Sequence, residues 1–346
     1  MVGHETLTHN NDDSYDRAKE VKDFDDSKIG VKGLVDSGLT TIPRFFHHPP
    51  QTLPSPSAAA ASAAAAAAIS IPIIDLSGDP ATTSAQIRSA ARTLGFFQIT
   101  NHGVPSSLQS DLISAVRSFN DLPAASKSRF YTRDFAASGG VSFATNFDLF
   151  RSKAASWRDT IQIRTAGAAG EGVDWERCRR SCGGRWRSGI GGWLVVGHYY
   201  PWCPEADRTV GIASHTDPGV LTVLLQDGVG GLQVKHGDGW VDVVPLPGAL
   251  VINVGDILQN PVVMILSNDE YKSVEHRVLA NRFREPRISI AIFFNPGDRE
   301  ALYGPLPELI SPEKPALYRQ FKLSEFLRRF VTKELDGKSL INYFRL

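Results

Sequence analysis

His215 and Asp217 stand two residues apart in the run GIASHTDPGVLTVLLQD, residues 211–227. In an extended strand, side chains two apart share a face, so this imidazole and carboxylate can address one atom. Alone the pair is weak evidence, because a capped polar turn before a buried strand reads the same way. A metal site needs a third ligand. His47 and His48 lie beside prolines, where adjacent histidines are usually solvated. His102 sits in an Asn-His-Gly turn after a strand, and His236 reads as an exposed hairpin tip. His276 differs, because it interrupts the apolar run of YKSVEHRVL, where an imidazole without a partner is costly. It is the best third ligand.

Two histidines and one carboxylate on one face of a metal, with the other positions open, is the arrangement of non-haem iron oxygenases. A bidentate keto-acid takes two open positions and dioxygen the last. A dianionic cosubstrate then needs a buried cation. In RVLANRFREPRISIAIFF, Arg287 and Ser289 are two apart in a strand and can clamp a distal carboxylate together. Arg277, Arg282 and Arg284 lie nearer the turn and read as solvated. Phe294 and Phe143 are candidates for apolar pocket walls. The glycine-rich DGVGGLQV has no Lys-Ser/Thr and opens no helix, so it reads as a hairpin turn. Cys178 and Cys182 have no second pair to complete a zinc site.

These residues need a scaffold. From Val195 to Pro296, short β-branched and aromatic runs alternate with Gly/Pro/Asp turns, which predicts a β-sandwich or jelly roll. Upstream, ISIPIIDLSG and FFQITNHG read as strands, and residues 83–95 and 106–123 as helices. LSEFLRRFVTKEL (323–335) predicts an amphipathic helix with Phe326, Leu327, Phe330 and Val331 inward. The expected organisation is an N-terminal extension and Pro/Ala-rich linker (1–68), an N-terminal α/β region (69–194), a β core (195–298) and a C-terminal loop and helix (299–346).

The 346-residue chain carries 37 basic and 37 acidic side chains, so nothing in its charge recommends nucleic acid or an anionic membrane as partner. Three cysteines make no disulfide framework. The start has no apolar secretory core, and the alanine tract 58–69 is too short to span a bilayer. The expectation is a soluble cytoplasmic protein.

The motifs HYYPWCPE, SHTDPGVLTVLLQD, GGLQV, NVGDILQ, SVEHRV and RISIAIFFNP together resemble plant iron(II)/2-oxoglutarate-dependent dioxygenases. The branch is similar to the homologues of 1-aminocyclopropane-1-carboxylate oxidase. IPIIDLSG, GFFQITNHGVP and SWRDTIQI extend the likeness upstream. The resemblance implies a double-stranded β-helix (jelly-roll) core flanked by α-helices, with Fe(II) held by His215, Asp217 and His276. It implies that 2-oxoglutarate chelates iron while Arg287, Ser289 and Tyr200 hold its far carboxylate. His198 stands where many relatives have asparagine, and is read as a group supporting that site. O2 is the oxidant, ascorbate the expected reductant, and succinate and CO2 the products. The substrate is expected to be a small plant metabolite, and the enzyme a monomer. Two rivals are an ascorbate-dependent ring-opening oxidase and a degenerate, non-catalytic chain.

Two segments depart from the pattern. Residues 166–193 are short and rich in Gly and Arg, where relatives have two long helices. The expected result is an uncovered flank of the core. About five extra residues in LQNPVVMILSND (258–269) lengthen the path to His276. An altered transcript would produce both.

Overall fold

The structure is a computed structural model that describes residues 15–54, 70–134, 140–164, 190–257, 270–296, 300–305, 310–332 and 342–346. The alanine tract, Cys178, Cys182, most of the 166–193 segment and the 258–269 segment lie outside the described residues.

Short alternating strands build two facing sheets. The larger takes eight: β1 (Ile73–Asp75), β2 (Phe96–Thr100), β3 (Val141–Ala144), β4 (Asp159–Arg164), β5 (Ile190–Tyr200), β7 (Leu221–Gln226), β10 (Leu250–Val254) and β12 (Arg287–Pro296). Their order is β1-β2-β10-β7-β12-β5-β4-β3. The smaller takes β6 (Val210–His215), β8 (Leu232–His236), β9 (Gly239–Asp242) and β11 (His276–Leu279), ordered β6-β11-β8-β9. This is the expected jelly roll. Phe96, Val251 and Tyr200 of the larger sheet meet Ile212, Val234, Val241 and Val278 of the smaller in one buried cluster. Burial of such apolar area is the dominant stabilising term.

The larger sheet is not confined to residues 195–298. It draws β1 to β4 from the upstream region, and β5 begins at Ile190.

On the sheet's outer face, α3 (Pro80–Thr93) supplies Ile87 and Ala90 against Ile74, Phe97 and Ile252. The helix α4 (Ser106–Asp121) lays Ile113 and Val116 on Val195, Leu225 and Ile290. α4 thus covers β5 at Val195 with its own apolar stripe, whereas the expectation of an uncovered flank concerns residues 166–193, most of which lie outside the described residues.

The N-terminal region corrects a second expectation. The helices α1 (Arg17–Ser27) and α2 (Gly30–Asp36) are packed, with Phe24 of α1 against Phe45, Phe46 and Trp157. Asp16 caps α1 by accepting from Lys19 N at 3.0 Å. Residues 43–54 are thus scaffold and not linker. Nor is His48 solvated: its Nε2–H donates to Ala155 O at 3.1 Å, and burial lowers its pKa. At the C-terminus α5 (Leu323–Thr332) fully buries Phe326, with Leu327 and Phe330 packed against the same cluster. The side chain of Val331 lies outside the described residues.

Candidate metal centre

Strand pairing assembles the site. His215 ends β6, His276 begins β11, and the two are direct partners in the antiparallel ladder. Asp217 follows two residues after His215. Its Oδ1 lies 3.7 Å from His215 Nε2 and 3.6 Å from His276 Nε2. One ligand atom from each of the three falls within 4.8 Å of the others.

Hydrogen bonds fix which atoms are free. His215 Nδ1 lies 2.8 Å from Ala213 O, and His276 Nδ1 lies 3.2 Å from Val274 O. A carbonyl only accepts, so Nδ1 carries the hydrogen in both rings and each Nε2 presents a lone pair. Asp217 Oδ2 accepts from Thr222 Oγ1 at 2.6 Å and Asn253 Nδ2 at 2.7 Å, which turns Oδ1 toward the imidazoles. This is the outer support that metal ligands require. Burial pushes the His215 pKa down to about 3, with the neighbouring His276 adding to the effect. Burial alone would raise Asp217, but the imidazoles of His276 and His215 and the two hydrogen bonds outweigh it, and its pKa is lowered. Two neutral imidazoles and one carboxylate are a donor set suited to a borderline divalent ion such as iron(II).

The backbone beneath is braced as well. Asp256 accepts from Thr216 Oγ1 at 3.0 Å and Ser273 Oγ at 2.7 Å, and its own N–H donates to Asp217 O at 2.6 Å. The loop carrying Asp217 is thereby tied to the segment leading into His276.

On β12, Arg287 and Ser289 share the inward face as expected. Arg287 is 1 % exposed. Its Nη1 donates to Ser289 Oγ at 3.0 Å, its Nη2 to Gln226 Oε1 at 3.1 Å and its Nε to Gly230 O at 2.6 Å. Tyr200 and His198 are their cross-strand partners on β5, in the pairs Arg287↔Tyr200 and Ser289↔His198. The guanidinium lies 4.9 Å from the Tyr200 ring centroid. His198 Nδ1 lies 3.2 Å from Thr160 Oγ1, and burial, then the charges of Arg158 and Arg287, hold the ring well below its usual pKa. The structure thus brings together all four residues expected at the distal carboxylate.

Two expectations fail on strand phase. Phe294 shares its side of β12 with Ile288 and Ile290, away from Arg287 and Ser289. Phe293 instead faces inward, opposite the Thr222 that holds Asp217. Phe143 is fully buried on the outer side, against Phe119 of α4 at 5.4 Å between ring centroids. Neither predicted wall shares the inward face with Arg287 and Ser289. Arg277 is also not solvated: it is 7 % exposed, bonds Gln233 Oε1 at 2.9 Å and covers the Trp240 ring. Arg282 and Arg284 are exposed as expected, and His236 is an exposed hairpin end.

The sequence reading missed Thr222, Asn253 and Gln226. A signal was present for Asn253, a lone amide within the apolar run ALVINV, where a buried polar group needs a partner.

Residues 193–296 match the 2OG-Fe(II) oxygenase superfamily, and residues 71–181 match the N-terminal region of the non-haem dioxygenases described from morphine synthesis. The 1-aminocyclopropane-1-carboxylate oxidase homolog 4 of Arabidopsis thaliana is 41% identical over 361 residues, covering 96% of this chain and 99% of the relative. The chain belongs to this family of 2OG-Fe(II) oxygenases. Homolog 1 from the same plant is 39% identical, covering 96% of this chain and 97% of its own. Among solved structures, the JOX2 complex with 2OG, Fe and JA superposes with a TM-score of 0.73 at 28% identity, covering 92% of this oxygenase and 97% of that chain. The rice dioxygenase for auxin oxidation gives 0.63 at 28% identity, covering 80% and 100%. The oxygenase family uses Fe(II) and 2-oxoglutarate, and the donor set at His215, Asp217 and His276 fits that metal. No described helix is long and apolar enough to cross a membrane.

Proposed function

We propose that this chain is an iron(II)- and 2-oxoglutarate-dependent dioxygenase that hydroxylates or desaturates a small plant metabolite, releasing succinate and CO2. The carrying observation is the convergence of His215 Nε2, His276 Nε2 and Asp217 Oδ1, with Arg287 and Ser289 inward on β12 of the facing sheet.

Iron(II), when bound, supplies oxygen activation coupled to decarboxylation of the keto-acid. The protein's residues prepare that chemistry. His215 and His276 hold their lone pairs inward because Ala213 O and Val274 O take the Nδ1 hydrogens. Thr222 and Asn253 orient Asp217. Arg287, with Ser289, offers a charged, directional contact to a distal carboxylate. The two facing sheets exclude water from the buried groups, which strengthens every electrostatic contact there. Ascorbate as reductant, a monomeric state and a cytoplasmic location complete the reading.

Relatives named for auxin oxidation and for a JA complex support a small organic substrate. The test is an anaerobic titration of the purified chain with Fe(II) and then 2-oxoglutarate, followed by oxygen and measurement of CO2. A visible charge-transfer band that needs both components supports the reading. Metal binding without any response to 2-oxoglutarate transfers the chain to the ascorbate-dependent ring-opening class. Absence of metal binding leaves a non-catalytic chain.

A further inference from the structure

One buried cation takes no part in the arrangement above. Arg158 immediately precedes β4 and is 2 % exposed. The β4–β5 register pairs Asp159 with Tyr199 and Thr160 with His198, so Arg158 falls opposite Tyr200. Strand alternation sends Asp159 outward, where its carboxylate accepts from Val31 N and Lys32 N at the start of α2. Arg158 goes the other way, to the inward face shared by Thr160 and His198. Its charge contributes to depressing the imidazoles of His198 and His215, as expected of a group on their side of the sheet.

The guanidinium is almost unused. Among the described residues its side chain makes one hydrogen bond, from Nη1 to Gly211 O at 3.5 Å, and its buried Nε has no partner there. It forms no ion pair among the described residues, although the charge of Asp148 acts on it. A guanidinium does not escape by losing its proton, so an uncompensated one is among the least favourable groups to bury.

Charge balance says what is missing. Iron(II) with Asp217 leaves one positive charge, and Arg287 adds a second. Dianionic 2-oxoglutarate neutralises both, and its two carboxylates are then accounted for. Arg158 remains, opposite Tyr200 on the inward face that carries His198. We propose that Arg158 anchors a carboxylate of the organic substrate, so that this chain oxidises an organic acid. The inference rests on the iron and 2-oxoglutarate reading and specifies its substrate class.

The test uses the full chain loaded with Mn(II) and 2-oxoglutarate under anaerobic conditions. Calorimetry compares a panel of aliphatic and aryl monocarboxylic acids with their methyl esters. At least one acid is expected to bind about tenfold more tightly than its ester, as a charge-assisted contact would give. Arg158→Gln should abolish that preference, and Arg158→Lys should retain part of it. The 2-oxoglutarate affinity of both variants should stay within about threefold of the parent. Because no ion pair is broken, Arg158→Gln should melt at or above the parent's temperature. Four results overturn the proposal: no acid preference in the parent, a preference that survives Arg158→Gln, a tenfold or greater loss of 2-oxoglutarate affinity, or a lowered melting temperature. The third makes Arg158 a cosubstrate cation, and the fourth makes it scaffold. A parent chain that binds neither Mn(II) nor 2-oxoglutarate removes the cosubstrate reading itself, and the inference with it.

Discussion

His215 and His276 face each other across one rung of the β6–β11 ladder, with ring centroids 4.2 Å apart. Their spacing is therefore set by backbone hydrogen bonding and is independent of how much chain separates them. Residues 258–269 can lengthen that path without displacing a ligand, provided β11 still finds β6. A metal held between these rings would stabilise that strand pair, so substitutions at His215 and His276 should be read in both metal content and stability.

His215→Ala and Asp217→Ala should each abolish stoichiometric Fe(II) binding. Metal analysis after anaerobic loading checks this. Full iron content and turnover in the His215 variant would refute the ligand assignment.

Asn253→Ala and Thr222→Val should weaken Fe(II) by roughly 10- to 100-fold, the usual effect of removing a ligand's outer partner. Each releases one hydrogen bond from Asp217 Oδ2. Competition with a chelator of known affinity measures it, and unchanged affinity in both variants would show that Asp217 is oriented otherwise.

Arg287→Ala should leave iron in place and weaken 2-oxoglutarate by about 1.5–3 kcal/mol, the range for a hydrogen bond to a charged group. The charge-transfer titration supplies both numbers. Loss of iron together with the cosubstrate would instead mean that Arg287 holds the sheet together through Gly230, Ser289 and Gln226.

The metal-free protein should lose stability on acidification. His215 is lowered to about 3 in the fold and titrates near 6.5 when unfolded. Between those values the unfolded chain binds more protons, so stability rises with pH across that window and levels off above it. The slope from this group is at most about 1.4 kcal/mol per pH unit. Buried His198 acts in the same direction. Urea midpoints at pH 7 and pH 5 test this, and an equal or higher midpoint at pH 5 contradicts it.

Phe143→Ala should destabilise the fold by about 3–5 kcal/mol and leave Fe(II) and 2-oxoglutarate binding unchanged. Its ring is fully buried among Phe119, Tyr131 and the Lys127 side chain. Denaturant unfolding beside the anaerobic titration separates the two effects.

The candidate site was legible in the sequence because its residues either broke a local pattern or kept a strand period. His276 was a polar ring in an apolar strand, and Arg287 with Ser289 kept the period of two. What escaped depended on phase or on distant packing. Phe293 and Phe294 are adjacent and chemically identical, and only the register against Thr222 decides which one turns inward. α1 buries just Val21 and Phe24, too few apolar positions to distinguish a packed helix from a polar extension. Arg277 looked solvated because its cover, Trp240, comes from a different strand pair. Arg158 passed unnoticed beside Asp159, since nothing local shows which of two neighbouring charges turns inward.

Arg164 of β4 is paired directly with Leu194 of β5, so the chain between them leaves and re-enters the sheet at neighbouring strands. A segment inserted at such a point perturbs the fold chiefly through the entropy of closing a loop, and doubling its length changes that by only about 0.6 kcal/mol. A change of length between β4 and β5 is thus absorbed away from the strands that carry His215, His276, Arg287 and Ser289.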